Sequence, residues 1–291
     1  MSAAPRIVLF GPHGQVGSRL LTTLTAAGYE VTGIDRVRCD FAQATPKEIA
    51  LILRAVEPQL VINAAAYTAV DAAEKDAATA MRINAEMPGM LATAAGEQGV
   101  KLVHFSTDYV FDGVAGAPYD EAAATHPLGV YARSKRDGEV AVRAQGGHVF
   151  RLQWVYGGRS KNFFSTMATL LRERDEVRVV ADQLGAPSHA QHIAEAITEA
   201  APRLIGGEIP AAIYHLSAAG HTSWHGFACA IARALQSRAR VVPIVTDEYP
   251  LPAPRPKDVR LDGGALASYG IRMPHWHEGI PLAMKEIYAD S

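Results

Sequence analysis

The sequence predicts an α/β protein with a doubly wound parallel sheet, followed by a smaller α/β domain. Three observations lead to this fold. Short β-branched runs alternate with helix-length amphipathic segments, a glycine-rich turn follows the first run, and the alternation becomes less regular after about residue 153. Buried parallel strands are near-continuous apolar runs joined by crossover helices. The alternation therefore indicates repeated β-α-β units with helices on both faces of one sheet.

The first half contains five predicted strands and four predicted helices. The strands are short, apolar and rich in β-branched residues, whereas apolar residues recur in the helices with a period of about 3.6. We expect strands at Ile7–Phe10, Glu30–Ile34, Leu60–Asn63, Lys101–Ser106 and His148–Leu152. We expect helices at Gln15–Ala27, Pro46–Val56, Ala78–Gln98 and Gly129–Ala144.

The second half is less regular and predicts a smaller domain packed against the sheet. Its expected helices are Asn162–Arg174, His189–Ala200, Ser223–Leu235 and His277–Ala289. Its expected strands are Val177–Ala181, Ile213–Ser217 and Val241–Val245. The helix near 189–200 is the element expected to return to the first domain. The proline-rich stretch Tyr249–Lys257 predicts an ordered loop, because proline removes backbone donors and fixes φ.

Composition limits the classes of protein to which the chain can belong. Its 291 residues carry a formal net charge of -2 with the signs mixed, so no basic stripe is available for nucleic acid or an anionic membrane. Cys39 and Cys229 are far apart and lack partners at metal-ligand spacing. No apolar run approaches the roughly 18 residues of a membrane span, and Met1–Pro5 shows no targeting signal. We expect a cytoplasmic protein with no nucleic-acid or membrane partner.

The first strand runs directly into a glycine-rich turn, Gly11-Pro-His-Gly14-Gln-Val-Gly17, where a helix begins. Glycines let the backbone bend sharply and approach a pyrophosphate, while the amides at the helix start direct partial positive charge towards it. Gly17 lets the helix pack closely on the strand. A tight turn without a ligand is the alternative for an isolated glycine triplet.

A carboxylate at the end of the second strand favours dinucleotide binding. Asp35 lies at about the distance beyond the glycines at which an acidic residue binds the adenosine ribose. Arg36 and Arg38 could hold a ribose 2′-phosphate instead, with a solvated loop as the alternative, so NADPH and NADH both stay open. We expect residues 1–155 to form the dinucleotide-binding domain and residues 156–291 to form mainly the substrate-binding domain.

Three further residues have the chemistry of a carbonyl reductase site. Thr107 lies at the carboxyl end of a predicted strand, where ligands bind in open α/β sheets. Tyr131 and Lys135 have an i, i+4 spacing that places them on one helix face. A phenol with an ordinary pKa of about 10 becomes a useful proton donor at neutral pH when a nearby cation stabilises its phenolate.

In this interpretation Lys135 supplies the cation and also binds the nicotinamide ribose. Thr107 hydrogen-bonds the substrate carbonyl while hydride arrives from the dihydronicotinamide. For the tyrosine and lysine alone, the alternative is an amphipathic helix with a surface lysine.

The sequence resembles the extended short-chain dehydrogenase/reductases and, within them, the dTDP-4-dehydrorhamnose reductases. The resemblance covers nearly the whole chain, and the segments at Asn63 and Ser106 are the most specific. Its carriers are Gly11–Gly17, Asn63–Asp71, Ser106–Gly113, Tyr131–Lys135, Trp154–Tyr156, Asn162-Phe163, Asp182–Ser188, and Ser223-Trp224 with Phe227. It implies reduction of the 4-keto group of dTDP-4-dehydro-L-rhamnose to dTDP-L-rhamnose, with NADPH or NADH as the hydride source.

The resemblance also implies roles for individual residues. Cofactor contacts are implied at Gly14, Gln15 and Val16 for the pyrophosphate, at Asp35, Asp40 and Phe41 for the adenosine, and at Ala66, Tyr67 and Thr68 along the cleft. Thr107, Tyr131 and Lys135 are implied as catalytic, with Asp108 and Trp154 facing the deoxysugar. Gln183 and Arg255 are candidates for the nucleotide side, where a guanidinium suits a diphosphate.

Two residues depart from the pattern of this family. Gln153 precedes Trp154 where a small hydroxyl residue is usual, and Asp258 stands where Ser or Asn is common. Both lie on the expected substrate side, so they bear on the sugar rather than on the reaction type. Lineage drift is the favoured explanation, because pocket rims tolerate change.

The alternative functions differ from this one in the substrate, in what happens to the hydride, or in the absence of catalysis. Another sugar-nucleotide reductase would differ in substrate alone, whereas an epimerase or dehydratase would keep its cofactor and return the hydride. A non-catalytic dinucleotide-binding subunit, like the regulatory subunit of methionine adenosyltransferase, would not need the intact Thr107, Tyr131 and Lys135. The oligomeric state is open, with a homodimer as one expectation.

Histidine spacing does not indicate a metal site within the chain. His221 with His225, and His275 with His277, lack a second ligand cluster with a nearby carboxylate. We therefore expect no bound metal, although a metal at a subunit interface is left open. Trp224 and Phe227 have helical spacing and are interpreted as core residues rather than a ligand platform, although the resemblance places this helix near the nucleotide.

Overall fold

The structure, a computed structural model, describes residues 4–158 and 160–288. Up to residue 152, strands alternate with helices as predicted, and each strand begins and ends within one residue of its expected bounds. The elements are β1 (Arg6–Phe10), α1 (Gln15–Ala26), β2 (Glu30–Ile34), α2 (Pro46–Val56), β3 (Leu60–Asn63), α3 (Val70–Ala73), α4 (Ala77–Met81), α5 (Met87–Glu97), β4 (Lys101–Thr107), α6 (Val130–Ala144) and β5 (His148–Leu152). A π-helical turn, Arg82–Glu86, joins α4 to α5 within the predicted helix 78–98.

The second half consists of short strands and four longer helices. Its elements are β6 (Val155–Tyr156), α7 (Phe163–Glu173), β7 (Glu176–Val180), β8 (Leu184–Gly185), β9 (Ser188–His189), α8 (Ala190–Gly206), β10 (Ile213–Leu216), β11 (Thr222–Ser223), α9 (Trp224–Ala234), β12 (Arg240–Ile244), α10 (Gly264–Ala267) and α11 (Gly279–Tyr288). The proline-rich stretch 249–257 is irregular, as expected. The predicted end of the last helix, Ala289, lies outside the described residues.

Six parallel strands form the central sheet in the order β2-β1-β3-β4-β5-β10, which confirms the doubly wound α/β fold. The register pairs Phe10 with Asn63, and Asn63 with His104. From β1 the chain first moves outwards to β2 and then returns to β3 on the other side of β1. Ligands of open α/β sheets bind at such a switch point, beyond the carboxyl ends of the strands.

Helices cover both faces of the sheet and hold the strand ends in place. On one face, Leu20 of α1 and Ile193 of α8 are fully buried. On the other face, Ile49 of α2 and Leu91 of α5 are fully buried. Burying such a side chain contributes about 1.5–3 kcal/mol. None of the helices in the described ranges is both long and apolar enough to cross a membrane.

The second half contributes to the central sheet as well as forming a core of its own. Helix α8 packs on α1, where Thr23 Oγ1 lies 2.8 Å from Thr198 Oγ1, and β10 pairs with β5 at the sheet edge. The sheet therefore takes its sixth strand from beyond residue 155. A separate apolar core lies between α7, α9 and α11, with Phe227 fully buried at its centre.

Candidate active site

The glycine turn joins β1 to α1 as the sequence predicts. Gly11 has φ of +76°, and a Cβ on it would lie 2.7 Å from the backbone nitrogen of Ala65. A Cβ on Gly17 would lie 2.0 Å from the carbonyl oxygen of Gly11. Packing within the protein therefore requires both glycines. A Cβ on Gly14 would meet the Gly11 oxygen at an ordinary 3.6 Å, so this position instead leaves the start of α1 open to a ligand.

Asp35 lies at the end of β2, beside the glycine turn. Its Oδ1 accepts hydrogen bonds from the backbone amides of Arg38 and Val37, at 3.0 and 3.1 Å, and its Oδ2 lies 3.5 Å from Nε2 of His13. These bonds, led by that of Arg38, hold the pKa of Asp35 below its usual value. Arg38 donates to the carbonyl of Gly33 at 3.0 Å, while Arg36 is largely exposed. A carboxylate and two guanidinium groups thus share this turn.

Asp40 and Phe41 follow on the same side of the sheet. Asp40 Oδ1 accepts from the amide of Ala42 at 3.1 Å and lies 3.4 Å from Nε of Arg36. The Phe41 ring is buried against Phe10, with ring centroids 5.5 Å apart. Phe41 is therefore part of the core in this structure.

One cavity of about 550 Å³ connects the glycine turn with Thr107, Tyr131 and Lys135. It extends from the start of α1, past the carboxyl ends of β3 and β4, to helix α6. Ten of the sequence-predicted site residues line it: Gly14, Gln15, Val16, Ala66, Thr68, Thr107, Asp108, Tyr131, Lys135 and Trp154. The fold therefore brings residues from five separate segments to one place at the switch point.

Tyr131 is half-buried near the start of α6, and its ring packs edge-on against Tyr109 at 6.3 Å between centroids. Burial raises the pKa of Tyr131 to about 12, an effect that the Thr107 side chain opposes and the Asp108 charge reinforces. The phenol consequently keeps its proton at neutral pH. Tyr131 is thus a neutral phenol rather than a phenolate in this structure.

Lys135 lies one helical turn beyond Tyr131 and is 2% exposed. Its side-chain nitrogen contacts the carbonyl oxygen of Phe105 and lies 3.3 Å from Nε2 of His104. Burial lowers the pKa of Lys135 to about 8, and the charge of Glu139 partly opposes this. The i, i+4 spacing places Lys135 on the expected face, but its nitrogen is bound to β4.

Asp108 follows Thr107 and is 3% exposed. Thr107 Oγ1 donates to its Oδ1 at 3.1 Å, and Gln153 Nε2 donates to its Oδ2 at 3.0 Å. Burial raises the pKa of Asp108 to about 7 against these hydrogen bonds. Gln153 also accepts from the amide of Ala186 at 2.7 Å, so it ties Asp108 to the second half of the chain.

The other residue that departs from the family pattern, Asp258, lies outside both cavities. Both oxygens of its carboxylate accept hydrogen bonds from Arg260, at 2.7 and 2.6 Å. Gln153, in contrast, donates to Asp108, which lines the smaller cavity.

Two stacked indoles lie where this cavity adjoins a larger one of about 1060 Å³. The rings of Trp154 and Trp224 are 3.6 Å apart and nearly parallel. Trp154 has φ of +45°, a conformation that a bulky residue rarely adopts. Trp224 lines both cavities and donates from Nε1 to Gln183 Oε1 at 3.1 Å. Trp224 packs against the edge of the core formed by α7, α9 and α11 and also faces the cavities, whereas Phe227 is fully buried in that core as expected.

The larger cavity contains the two residues expected on the nucleotide side. Gln183 and Arg255 both line it. Arg255 NH2 lies 3.0 Å from each carboxylate oxygen of Asp71, and NH1 donates to the carbonyl of Ala253 at 2.8 Å. A planar guanidinium held in this way has a fixed orientation towards the cavity.

Some predicted residues lie outside both cavities, and some lining residues were missed. Gly11, Gly17, Asp35, Arg36, Asp40, Phe41 and Tyr67 line neither cavity. Tyr109 and Lys161 line a cavity but were not predicted. The signal for Tyr109 was its place after Thr107 at a strand end. Lys161 lies in a loop with no such signal.

In the described residues, no group of three or more His, Cys, Asp or Glu could hold a metal ion, and neither histidine pair belongs to such a group. His275 and His277 stack on each other with their rings 5.0 Å apart. His225 instead contacts the carbonyl of Val241 at 3.3 Å and lies 3.6 Å from Cys229 Sγ.

Comparison with known proteins gives one consistent result. The model of the family described as RmlD substrate binding domain matches residues 5–289. A protein from Burkholderia thailandensis named dTDP-4-dehydrorhamnose reductase is 42% identical, over 97% of this chain and 99% of the relative. An Escherichia coli K12 protein of the same name is 35% identical, over 97% and 98% of the two chains.

Solved structures give the same result at the level of the fold. A dTDP-4-dehydrorhamnose reductase from Bacillus anthracis, crystallised in complex with NADP, has a TM-score of 0.89 at 33% identity and covers 97% of this chain and 99% of its own. A Clostridium acetobutylicum orthologue has a TM-score of 0.91 at 32% identity, with the same coverage. A Thermus thermophilus UDP-glucose 4-epimerase, at 22% identity and a TM-score of 0.81, shares the fold alone.

Proposed function

The chain belongs to the RmlD substrate-binding-domain family, and on that basis we propose that it reduces the 4-keto group of dTDP-4-dehydro-L-rhamnose, giving dTDP-L-rhamnose. The observation that carries the proposal is the single cavity that is lined both by residues 14–16 of the glycine turn and by Thr107, Tyr131 and Lys135. The relatives named dTDP-4-dehydrorhamnose reductase align along nearly the whole chain. As part of the proposal, residues 1–155 bind the dinucleotide and residues 156–291 mainly bind the substrate.

The residues at the start of α1 fit a nicotinamide dinucleotide. The helix has no side-chain cap and no acidic residue in its first turn, so its amide groups and positive dipole end suit a pyrophosphate. Within the described residues, Gln15 Oε1 is buried without a hydrogen-bond partner and is an acceptor that a ligand could satisfy. When bound, the reduced dinucleotide supplies the hydride.

In the proposed mechanism, three side chains of this chain handle the proton and the substrate oxygen. Thr107 hydrogen-bonds the keto oxygen and holds it near Tyr131. Tyr131, which keeps its proton at neutral pH, donates it to that oxygen as the hydride adds to carbon. Lys135 stabilises the phenolate that remains and binds the nicotinamide ribose.

Asp108 and Trp154, which line the same cavity, face the deoxysugar in this proposal. Gln183 and Arg255 bind the nucleotide half in the larger cavity. Ala66, Tyr67 and Thr68 follow the cofactor along the end of β3, while Asp35, Asp40 and Phe41 lie at its adenosine end.

The proposal is tested by following dihydronicotinamide oxidation with dTDP-4-dehydro-L-rhamnose and with other keto-sugar nucleotides. We expect net oxidation and the highest kcat/KM with the rhamnose precursor. An epimerase or dehydratase would return the hydride and show no net oxidation. Preference for a different keto-sugar nucleotide would change the substrate and keep the reaction class.

For the cofactor we propose that NADPH is accepted at least as well as NADH, because Arg36 and Arg38 lie beside Asp35. We expect the double variant Arg36→Glu/Arg38→Glu to lower kcat/KM for NADPH by about 10- to 100-fold, since charge-assisted bonds to a 2′-phosphate are lost. The value for NADH should change little. Lys47→Glu/Arg54→Glu on the exposed side of α2 is the matched charge control. Equal losses with both cofactors would remove the 2′-phosphate role.

Arg255 is expected to act through substrate binding. Arg255→Ala should raise KM for the sugar nucleotide more than it lowers kcat, because a diphosphate contact exists in both the ground and the transition state. Arg260→Ala is the control, since Arg260 is also paired with a carboxylate but lies outside both cavities. An unchanged KM in Arg255→Ala would exclude Arg255 from the site.

Three further predictions concern the cellular location, the oligomeric state and the partners of the enzyme. Both cysteines are free, as expected for a reducing compartment. We propose a cytoplasmic homodimer that acts on nucleotide sugars and not on nucleic acid. Cell fractionation and light scattering of the purified chain would test the location and the oligomeric state.

A further inference from the structure

A buried histidine lies directly behind the reductase residues and has no role in the mechanism above. His104 is on β4, three residues before Thr107, and is fully buried. Its Nδ1 lies 3.1 Å from Nδ2 of Asn63 on the neighbouring strand β3. Its Nε2 lies 3.3 Å from the side-chain nitrogen of Lys135. His104 thus connects the switch point of the sheet to Lys135.

The hydrogen bonds of Asn63 fix which nitrogen of His104 carries the proton. Asn63 Oδ1 accepts from the backbone amide of Ala65 at 3.1 Å, so its Nδ2 must face His104. An amide nitrogen can only donate, and His104 Nδ1 must therefore accept. Burial, together with the positive charge of Lys135 when it is protonated, holds the pKa of His104 well below its ordinary value, so the ring is neutral and has one N–H. That N–H is at Nε2 and points to Lys135.

The hydrogen-bond donors and acceptors around Lys135 also determine which protonation form of its side chain suits these contacts. An ammonium group has three donors and no acceptor, so it cannot accept from the Nε2–H of His104. A neutral amine has a lone pair for that N–H and can still donate to the carbonyl of Phe105. The arrangement on β4 therefore satisfies the neutral amine.

We propose that Asn63 and His104 are positioning residues that stabilise the neutral amine of Lys135, so that Lys135 can return a proton to Tyr131 after each reduction. The proton leaves the ammonium of Lys135 for the Tyr131 phenolate, and the resulting amine accepts the Nε2–H of His104. A proton from water then restores the ammonium. The catalytic part of this inference rests on the proposed function, whereas the tautomer of His104 does not.

The other charged groups near Lys135 do not provide this effect. Glu139, one turn further along α6, raises the pKa of Lys135 and so favours the ammonium. Glu139 is itself paired with Arg151 of β5, at 2.8 and 2.7 Å. Tyr131 is neutral until it gives up its proton. Among these neighbours, His104 is the group that offers a donor to the neutral amine.

The tautomer can be measured without any substrate. Two-bond nitrogen–proton NMR correlations of the imidazole rings should show an Nε2–H for His104, assigned by the signal that disappears in His104→Leu. In Asn63→Asp the carboxylate still accepts from Ala65, but it also accepts from His104, which should move the proton to Nδ1. The signal of His148, whose nitrogens contact the carbonyls of Leu102 and Ile209, should stay unchanged. An Nδ1–H in the unaltered protein would overturn the proposal.

The pH profile then tests the link to Lys135. In His104→Leu and Asn63→Asp the neutral amine loses its donor, so Lys135 should hold its proton more tightly. We expect the alkaline limb of kcat to move up by about one pH unit, and kcat at neutral pH to fall about tenfold with little change in KM. His148→Leu removes another buried histidine of the same sheet and should leave the profile in place.

Two results would contradict the role of His104 in the reaction. One is an alkaline limb of kcat that shifts no further in His104→Leu than in His148→Leu. The other is an Asn63→Asp protein with a switched tautomer and an unchanged profile. If no keto-sugar nucleotide is reduced at all, the proposed function fails, and titration of the Lys135 side chain by carbon NMR replaces the kinetic test. An unchanged pKa of Lys135 in Asn63→Asp would then overturn the inference.

Discussion

Replacing Tyr131 by phenylalanine is expected to lower kcat for keto-sugar reduction by about 10²- to 10⁴-fold, the usual contribution of a general acid. Only the hydroxyl is removed, and the ring should still pack edge-on against Tyr109. Folding and dinucleotide binding should therefore survive. The measurement is kcat by dihydronicotinamide oxidation, beside cofactor affinity by fluorescence titration.

The control for this prediction is Tyr109→Phe, which removes a phenol hydroxyl from the neighbouring ring. Tyr109 lines both cavities, and burial raises its pKa further than that of Tyr131. A group that holds its proton so firmly is a poor acid, so its loss should cost less rate. Near-unchanged turnover in folded Tyr131→Phe would remove the proposed roles of Thr107, Tyr131 and Lys135. A non-catalytic dinucleotide-binding subunit would instead show no turnover in the unaltered protein.

The sheet could be predicted from sequence because each strand carries its own local signal. The runs at 7–10 and 60–63 are short and apolar, and the glycine turn marks where the first one ends. The π-helical turn at Arg82–Glu86 had no such signal. It surrounds Asn84, whose side chain bonds to both backbone groups of Tyr67 and to Ser134. These partners are distant in sequence, so the periodicity of the segment does not reveal them.

In the candidate site too, features that depend on local spacing could be predicted, whereas contacts between distant segments could not. Spacing places Tyr131 and Lys135 on one helix face, and both line the cavity. Spacing does not indicate that the Lys135 nitrogen contacts Phe105 and His104, because those contacts depend on how α6 packs on β4. Likewise, the stacking of Trp154 on Trp224 joins two segments 70 residues apart. Helical spacing carries no information about such a contact and indicated only that Trp224 packs in the core.

Removing Glu139 is expected to have the largest effect on stability, because it leaves the buried guanidinium of Arg151 without its partner. The two side chains are 3% and 2% exposed and form a bidentate pair. Breaking such a pair costs about 3–5 kcal/mol, whereas replacing both members by apolar residues costs much less. Glu139→Leu should therefore lower the free energy of unfolding in denaturant by about that amount, and Glu139→Leu/Arg151→Met should recover most of the loss. Glu86→Leu breaks the more exposed pair with Arg82 and should cost less than about 1 kcal/mol. A double variant as unstable as Glu139→Leu would show that packing around Arg151, rather than its unpaired charge, determines the loss.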